Sequence, residues 1–425
     1  MAPEVLGLVI VLICIVFFIT EWLPMCVTGV LGCFLMVLFK VSSFKVLFGG
    51  FSSSIVMLMF SAMVVGIAMF ETGAAQIIGR FIIKKSHGNE KMFLSFSCLL
   101  SGLLSMFMAN TALVGIFIPI IDSVCRTTAA MKRRNLMLPI TYAIMFGGSS
   151  TLVGCTPQLT ASGVMQSLTG KGMGMWDLTP PGLCLFGVFL IYMLTIGYKR
   201  NEGIWGGKPE VDMHVSDAKL AAVTKEKVNP KLPVMVAILV FMIVSYVLPY
   251  LPVTMTAMAA ALLCVITGCC DVYAIVFEMQ WQTVIFLACC LGIADGLVDS
   301  GASDLISAFV SGVLGSDTSA FAVFAVLVFM TLLVSQLITN STALIITLPI
   351  ALSICSQNGF NSLPYCVGIT LAASIACCTP MAAAQIAMTQ VAGYDFSDYL
   401  KASWPPTVIG YISILVFVPL FYPLS

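Results

Sequence analysis

The stretch Gly147-Gly148-Ser149-Ser150-Thr151-Leu152-Val153-Gly154-Cys155-Thr156-Pro157-Gln158 decides how this chain folds. It lies between apolar segments, yet its three glycines, four hydroxyls and proline rule out an ordinary helix through it. Such a run interrupts helical hydrogen bonding and leaves carbonyl oxygens free for other partners. A counterpart, Ala372-Ala373-Ser374-Ile375-Ala376-Cys377-Cys378-Thr379-Pro380, stands in the second half of the chain. Interrupted segments at corresponding positions of two halves mark a transporter binding site. A plain proline kink is the alternative reading.

The surroundings are those of a membrane protein. Of 425 residues, 60% are hydrophobic and 9% charged, against about 25% charged in a soluble domain. Runs such as Val5–Phe18 and Val234–Val247 suit a lipid bilayer, because a spanning helix needs about 20 mostly apolar residues. The formal net charge is zero, so overall charge points to no partner, and nucleic acid is not expected. The sixteen cysteines are scattered through apolar segments and read as packing residues in a reduced protein. His87 and His214 fall in charged, loop-like segments. Without a nucleophile–base pair or metal cluster in the apolar parts, an embedded enzyme is disfavoured, as is a passive channel.

All but one of the nineteen Lys and Arg precede residue 232; the exception is Lys401. They cluster at Arg80–Lys91, Arg126–Arg134 and Lys199–Lys231, which the positive-inside rule places in the cytoplasm. The expected organisation is a first half over 1–198, a cytoplasmic linker over 199–231 and a second half over 232–425. Met1–Glu4 carries no basic leader region, so the first apolar run is expected to be retained. The N-terminus should be cytoplasmic and the C-terminus outside.

The halves echo each other. Leu23-Pro24 with Thr28 matches Leu251-Pro252 with Thr256, and Gly66-Ile67-Ala68 matches Gly292-Ile293-Ala294. Asn110 precedes Pro119 by nine residues, as Asn340 precedes Pro349. An odd number of crossings per half makes this an inverted repeat. Each half then holds a re-entrant hairpin, near 92–125 and 321–358, and a broken helix, near 136–168 and 364–392.

Ala109-Asn110-Thr111 and Thr339-Asn340-Ser341-Thr342 are the polar centres of the two hairpin segments. An asparagine in hydrocarbon is costly unless its amide is satisfied. Flanked by hydroxyls, it suits a hairpin tip facing protein or a water-filled cavity. There, free backbone amides can hold an anion and oxygens a hard cation. Polar glue between neighbouring helices is the other reading.

These paired motifs resemble the Ser-Asn-Thr signatures of the divalent-anion:sodium symporters. Gly147–Gln158 looks like that family's glycine-rich stretch ending in Pro-Asn, and the likeness covers about 24–410. The resemblance implies an all-α polytopic membrane protein with about eleven transmembrane helices and two opposed re-entrant hairpins. It implies a homodimer in the cell membrane, with elevator movement of a transport domain against a scaffold. One Na+ site would use Ser105, Asn110 and backbone near Gly154; the other would use Ser335, Thr339, Asn340 and backbone near Cys378. A small di- or tricarboxylate would meet Asn110, Thr111, Thr156, Pro157, Asn340, Ser341, Thr342, Thr379 and Pro380. The chain departs from the pattern where Ala109 replaces the first Ser and Ser341 a Thr, and where Gln158 and Met381 stand at Asn-like positions. With no Arg or Lys near these elements, bound sodium and helix dipoles would have to neutralise the anion.

Proton coupling needs a titrating group within the membrane. Asp295, Asp299 and Glu71 are the candidates, although each stands close to an expected helix end. A deep Asp295 would favour a proton-coupled permease or a Na+/H+ antiporter, and a metalloid permease shares the architecture. Asp122, just before Arg126, reads as a cytoplasmic-end residue.

Overall fold

Proline and glycine punctuation sets the helix limits of this chain. The computed structural model describes residues 3–20, 22–73, 85–86, 89–127, 131–205, 230–248, 251–279, 281–301, 319–379 and 382–425. His87, His214 and Pro380 lie outside the described residues.

The first half supplies α1 (Pro3–Thr20), α2 (Met25–Leu38), the short α3 (Phe44–Leu47) and α4 (Ser54–Glu71). It continues with α5 (Glu90–Ser105), α6 (Asn110–Thr127), α7 (Arg133–Gly148), α8 (Thr156–Thr169) and α9 (Thr179–Trp205). The second half supplies α10 (Leu232–Val247), α11 (Val253–Ile266), α12 (Val272–Glu278), α13 (Trp281–Asp299), α14 (Ala320–Leu337) and α15 (Asn340–Asn358). It ends with α16 (Ser362–Ser374), the one-turn α17 (Ala384–Ala387) and α18 (Phe396–Phe421). Among the described residues all regular secondary structure is helical.

The Leu-Pro pairs are helix starts. Pro24 and Pro252 are the N-caps of α2 and α11, and their carbonyls accept from the amides of Thr28 and Thr256. A fixed φ and a missing N–H suit a proline to this place. Side-chain caps start other helices: Asn89 accepts from Met92 N ahead of α5, and Asn361 from Leu363 N ahead of α16.

The halves interlock. Helix α2 packs on α13 and α11 packs on α4, so each half's second helix lies against the other half's fourth. Helix α5 packs on α7 as α14 packs on α16, and α9 runs beside α18. Glycine permits the closest approaches. A Cβ on Gly147 would lie 2.2 Å from the Gly102 carbonyl oxygen, and one on Gly292 would lie 1.7 Å from that of Leu47. Gly66, the sequence match of Gly292, has nothing within 4 Å of such a Cβ. The glycine of this motif therefore serves packing in one half only.

Large apolar side chains cover the outside, among them Leu12, Val16, Phe34, Val240, Leu262, Val326, Ile412 and Val416. Four helices among the described residues are long and apolar enough to cross a bilayer: α9, α14, α15 and α18. Six shorter apolar helices accompany them.

Polar residues gather at the base of α6 and α7. Asp122 is completely buried and is held by Arg126 at 2.9 Å and Arg133 at 2.8 Å. It is thus an interior ion-pair residue rather than merely an end residue. The helix before the linker runs through a π-turn at Met193–Gly197 to Trp205, beyond the expected boundary at 199. Its last turns have partners: Tyr198 bonds Glu90, Trp205 bonds Asn135 at 2.6 Å, and Arg200 lies over Trp404. Residues 206–229 lie outside the description.

Forcing α5 and α7 apart tests this packing. Overpacking costs about 1–3 kcal/mol, so Gly147→Val should lower the melting midpoint of the detergent-purified protein. Gly187→Ala, with nothing within 4 Å of the new methyl, should leave the midpoint almost unchanged.

Candidate functional site

Between α5 and α6 the chain turns through residues 106–109, and between α14 and α15 through 338–339. Each second helix opens on an asparagine, Asn110 or Asn340, and each asparagine is nearly fully buried. The Ser105 hydroxyl donates to Asn110 Oδ1 at 2.5 Å, and the Ser335 hydroxyl donates to Asn340 Oδ1 at 2.8 Å. Both contacts span five residues across a turn.

Each turn is fastened to a helix interruption. In the first half, Thr151 Oγ1 donates to the Met106 carbonyl at 2.5 Å and accepts from Gly154 N at 3.2 Å. In the second, Thr379 Oγ1 donates to the Gln336 carbonyl at 2.6 Å, while Gln336 Oε1 accepts from Cys378 N at 2.8 Å. These bonds satisfy backbone groups that an interrupted helix leaves without internal partners.

Oxygens converge behind both asparagines. Ser335 also donates to the Ala373 carbonyl at 3.2 Å. In the first half, Gly148 sits so close that an added Cβ would lie 2.5 Å from Asn110 Oδ1 and 2.6 Å from Ser105 Oγ. Gly154 is equally confined, with the Gly148 carbonyl oxygen 2.1 Å and the Ser105 carbonyl oxygen 2.9 Å from such a Cβ. Neutral hydroxyl, amide and carbonyl oxygens are the donor set for a hard cation.

In front of the asparagines lies a cavity of about 590 Å³. It is lined by Ala109, Asn110 and Thr111 from one turn and Thr339, Asn340 and Ser341 from the other. Gly154, Thr156 and Pro157 of the first interruption line it, as do Ala382, Ala383 and Gln385 beyond the second. Met59, Met63, Gln282, Thr283 and Phe286 of α4 and α13 form the facing wall. None of the described lining residues is charged. The N-terminal ends of α6 and α15 supply positive potential, roughly half an elementary charge per helix.

The cavity therefore gathers Asn110, Thr111, Gly154, Thr156, Pro157, Thr339, Asn340 and Ser341. Ser105 and Ser335 lie buried behind it, and Thr342 is turned to the Thr339 hydroxyl at 2.8 Å. Thr379 and Cys378 serve the second fastening and are not lining residues. Sequence reasoning did not single out the wall from α4 and α13, whose inward face no periodicity marks in uniformly apolar helices. Asp295 is also off the cavity. Asp299 accepts from Ser42 at 2.6 Å, and Glu71 from the Asp271 amide at 3.0 Å.

Apolar helices around an uncharged polar cavity, with interrupted backbone meeting inside the bundle, define a membrane transporter. The chain belongs to the citrate transporter family (CitMHS), whose model matches residues 15–328 and 315–424. This places it among multi-pass proteins of the cell membrane. An uncharacterized transporter of Synechocystis sp. is 34% identical over 190 residues, 44% of this chain and 31% of that protein. The sodium-dependent dicarboxylate transporter SdcS of Staphylococcus saprophyticus is 26% identical over 246 residues, 54% of this chain and 46% of that protein. The chain thus spans about a third and about half of the length of these two curated relatives. The solved YdaH transporter of Alcanivorax borkumensis shares the fold with a TM-score of 0.64 at 11% identity, covering 89% of this chain and 87% of that one.

Crowding behind Asn110 gives a direct test. A methyl at Gly148→Ala must displace Asn110 or Ser105, and such overpacking costs about 1–3 kcal/mol. Uptake by reconstituted Gly148→Ala should fall about tenfold or more, while Gly187→Ala should keep wild-type uptake.

Proposed function

We propose that this protein carries a small di- or tricarboxylate into the cell together with sodium. The observation that carries the reading is the pair of buried asparagines, Asn110 and Asn340. Each opens a helix, accepts a serine hydroxyl and faces the same uncharged cavity. The carboxylates would meet Asn110, Thr111, Thr156 and Pro157 from one side and Asn340 and Ser341 from the other. Thr342, Thr379 and Pro380 would stand next to these groups. One Na+ would bind at Ser105, Asn110 and the backbone near Gly154. The second would bind at Ser335, Thr339, Asn340 and the backbone near Cys378. The family's citrate description and the sodium-dependent dicarboxylate relative support both substrate classes.

The mirrored packing of α2 on α13 and α11 on α4 supports two inverted repeats, residues 1–198 and 232–425. In this reading α5–α6 and α14–α15 are re-entrant hairpins, and they move with the broken helices α7–α8 and α16–α17 as a transport domain. The remaining helices form a scaffold that dimerises, the N-terminus is cytoplasmic and the C-terminus lies outside. The domain would travel as an elevator, with about eleven spans in all.

Uptake of radiolabelled citrate and succinate into proteoliposomes, with and without an inward sodium gradient, tests this reading. Asn110→Ala leaves the buried Ser105 hydroxyl without its acceptor, a loss of about 1–3 kcal/mol, and Asn340→Ala leaves Ser335 only its longer contact to the Ala373 carbonyl. Each should raise half-saturating sodium about tenfold or abolish uptake. Wild-type uptake in both variants would defeat the assignment.

A further inference from the structure

We infer that Gln158 ties the two candidate cation sites together, so that filling one orders the other. The inference rests on the proposed reading of the Ser105–Asn110 and Ser335–Asn340 clusters as sodium sites.

Gln158 is completely buried in the first turn of α8. Both ends of its amide are committed. Its Oε1 accepts from the Cys155 thiol at 2.7 Å, and its Nε2 donates to Ser374 Oγ at 3.2 Å. Cys155 belongs to the first interruption, next to Gly154, and lines the same cavity as Asn110. Ser374 is the last residue of α16, where its hydroxyl donates to the Thr370 carbonyl at 2.7 Å. The residue before it, Ala373, presents the carbonyl that accepts from Ser335.

An uncharged chain of contacts thus runs from Cys155, the neighbour of Gly154 in the first proposed site, through Gln158 and the end of α16 to Ser335 and Asn340. Gln158 comes from the first half, yet it holds the backbone turn that supplies an oxygen to the second half's cluster. A cation drawing on the backbone near Gly154 fixes the adjoining Cys155 and its thiol. The rigid amide of Gln158 passes the constraint to Ser374 and the Ala373 carbonyl. In a buried network, losing one link leaves its neighbours unsatisfied, so the members hold or release together. Gln158 is a positioning residue, since it is not among the residues lining the cavity.

Sodium titration of citrate and succinate uptake by the full-length protein in proteoliposomes tests the inference. The wild type is compared with Gln158→Leu, Ser374→Ala and the double variant. Couplings between sites are commonly five-fold or more, so each single variant should raise half-saturating sodium about fivefold and bring the Hill coefficient down toward one. KM for the anion at saturating sodium should stay within about twofold, separating lost ion coupling from lost anion binding. The double variant should match the more affected single variant, because both remove one contact. Gln158→Asn, which keeps the amide on a shorter stem, should recover part of the cooperativity.

An unchanged sodium titration, a fall in kcat with the Hill coefficient preserved, or additive effects in the double variant would overturn the inference. Should Gln158→Leu fail to give monodisperse protein, Ser374→Ala, which removes a single hydroxyl, decides by the same criteria. Wild-type uptake indifferent to sodium would overturn the proposed function as well, and the wild-type arm alone reveals that outcome.

Discussion

A serine hydroxyl donated to the amide oxygen of a helix-opening asparagine is the contact on which the centre of this molecule depends. Away from water an open backbone group costs free energy comparable to a lost hydrogen bond. A chain that turns and breaks inside an apolar bundle must therefore satisfy each group it exposes. Ser105 and Ser335 hold the asparagines at the mouths of α6 and α15. Thr151 and Thr379 then tie each turn to the interruption beside it. With these bonds made, two helix starts face one cavity without unfolding their surroundings.

The two halves meet this constraint by different means. The first interruption is rich in glycine and lets Gly148 and Gly154 lie directly against Asn110 and Ser105. In the second, the Ala373 carbonyl near the end of α16 takes the Ser335 hydroxyl alongside Asn340. Gln336 adds a side-chain acceptor for the Cys378 amide, which Met106 at the matching place could not provide. The Gln336 Nε2 is buried without a hydrogen-bond partner. In the first interruption the unpartnered buried donor is the Ser150 hydroxyl.

What the sequence disclosed follows from how each residue acts. Glycine, proline and asparagine constrain their own backbone, so the starts of α2, α6, α11 and α15 and the interruption after Gly148 are legible in order along the chain. The citrate transporter family agrees with the transporter class inferred from those breaks. Partners distant in sequence were not legible. Gln158 stood out only as a departure from a motif, because its bond to Ser374 joins residues more than two hundred positions apart. Asp122 beside Arg126 read as a helix-end charge because nothing before folding shows Arg133 of the next helix closing over it as well. The α4 and α13 wall was hidden because a helix apolar on every side does not announce which face looks inward.

The cavity sets an electrostatic problem that shapes any reading of its work. Its volume falls within the range of small-molecule sites, roughly 300–1,000 Å³, and no described lining residue bears a charge. Two helix starts offer roughly half a positive charge each, which is less than a fully ionised dicarboxylate requires. The shortfall must be met by a cation that travels with the anion or by lysine and arginine, and the described lining holds neither lysine nor arginine. Neutral oxygens gathered behind both asparagines suit the first solution. An empty cavity would then carry only the partial charges of the helix starts, and one filled by anion and cations together would add little net charge to them. In either condition the cavity would avoid burying uncompensated charge, whereas one loaded with the anion alone would face the full cost of burying it. The absence of fixed charge is thus what would make the two loads interdependent.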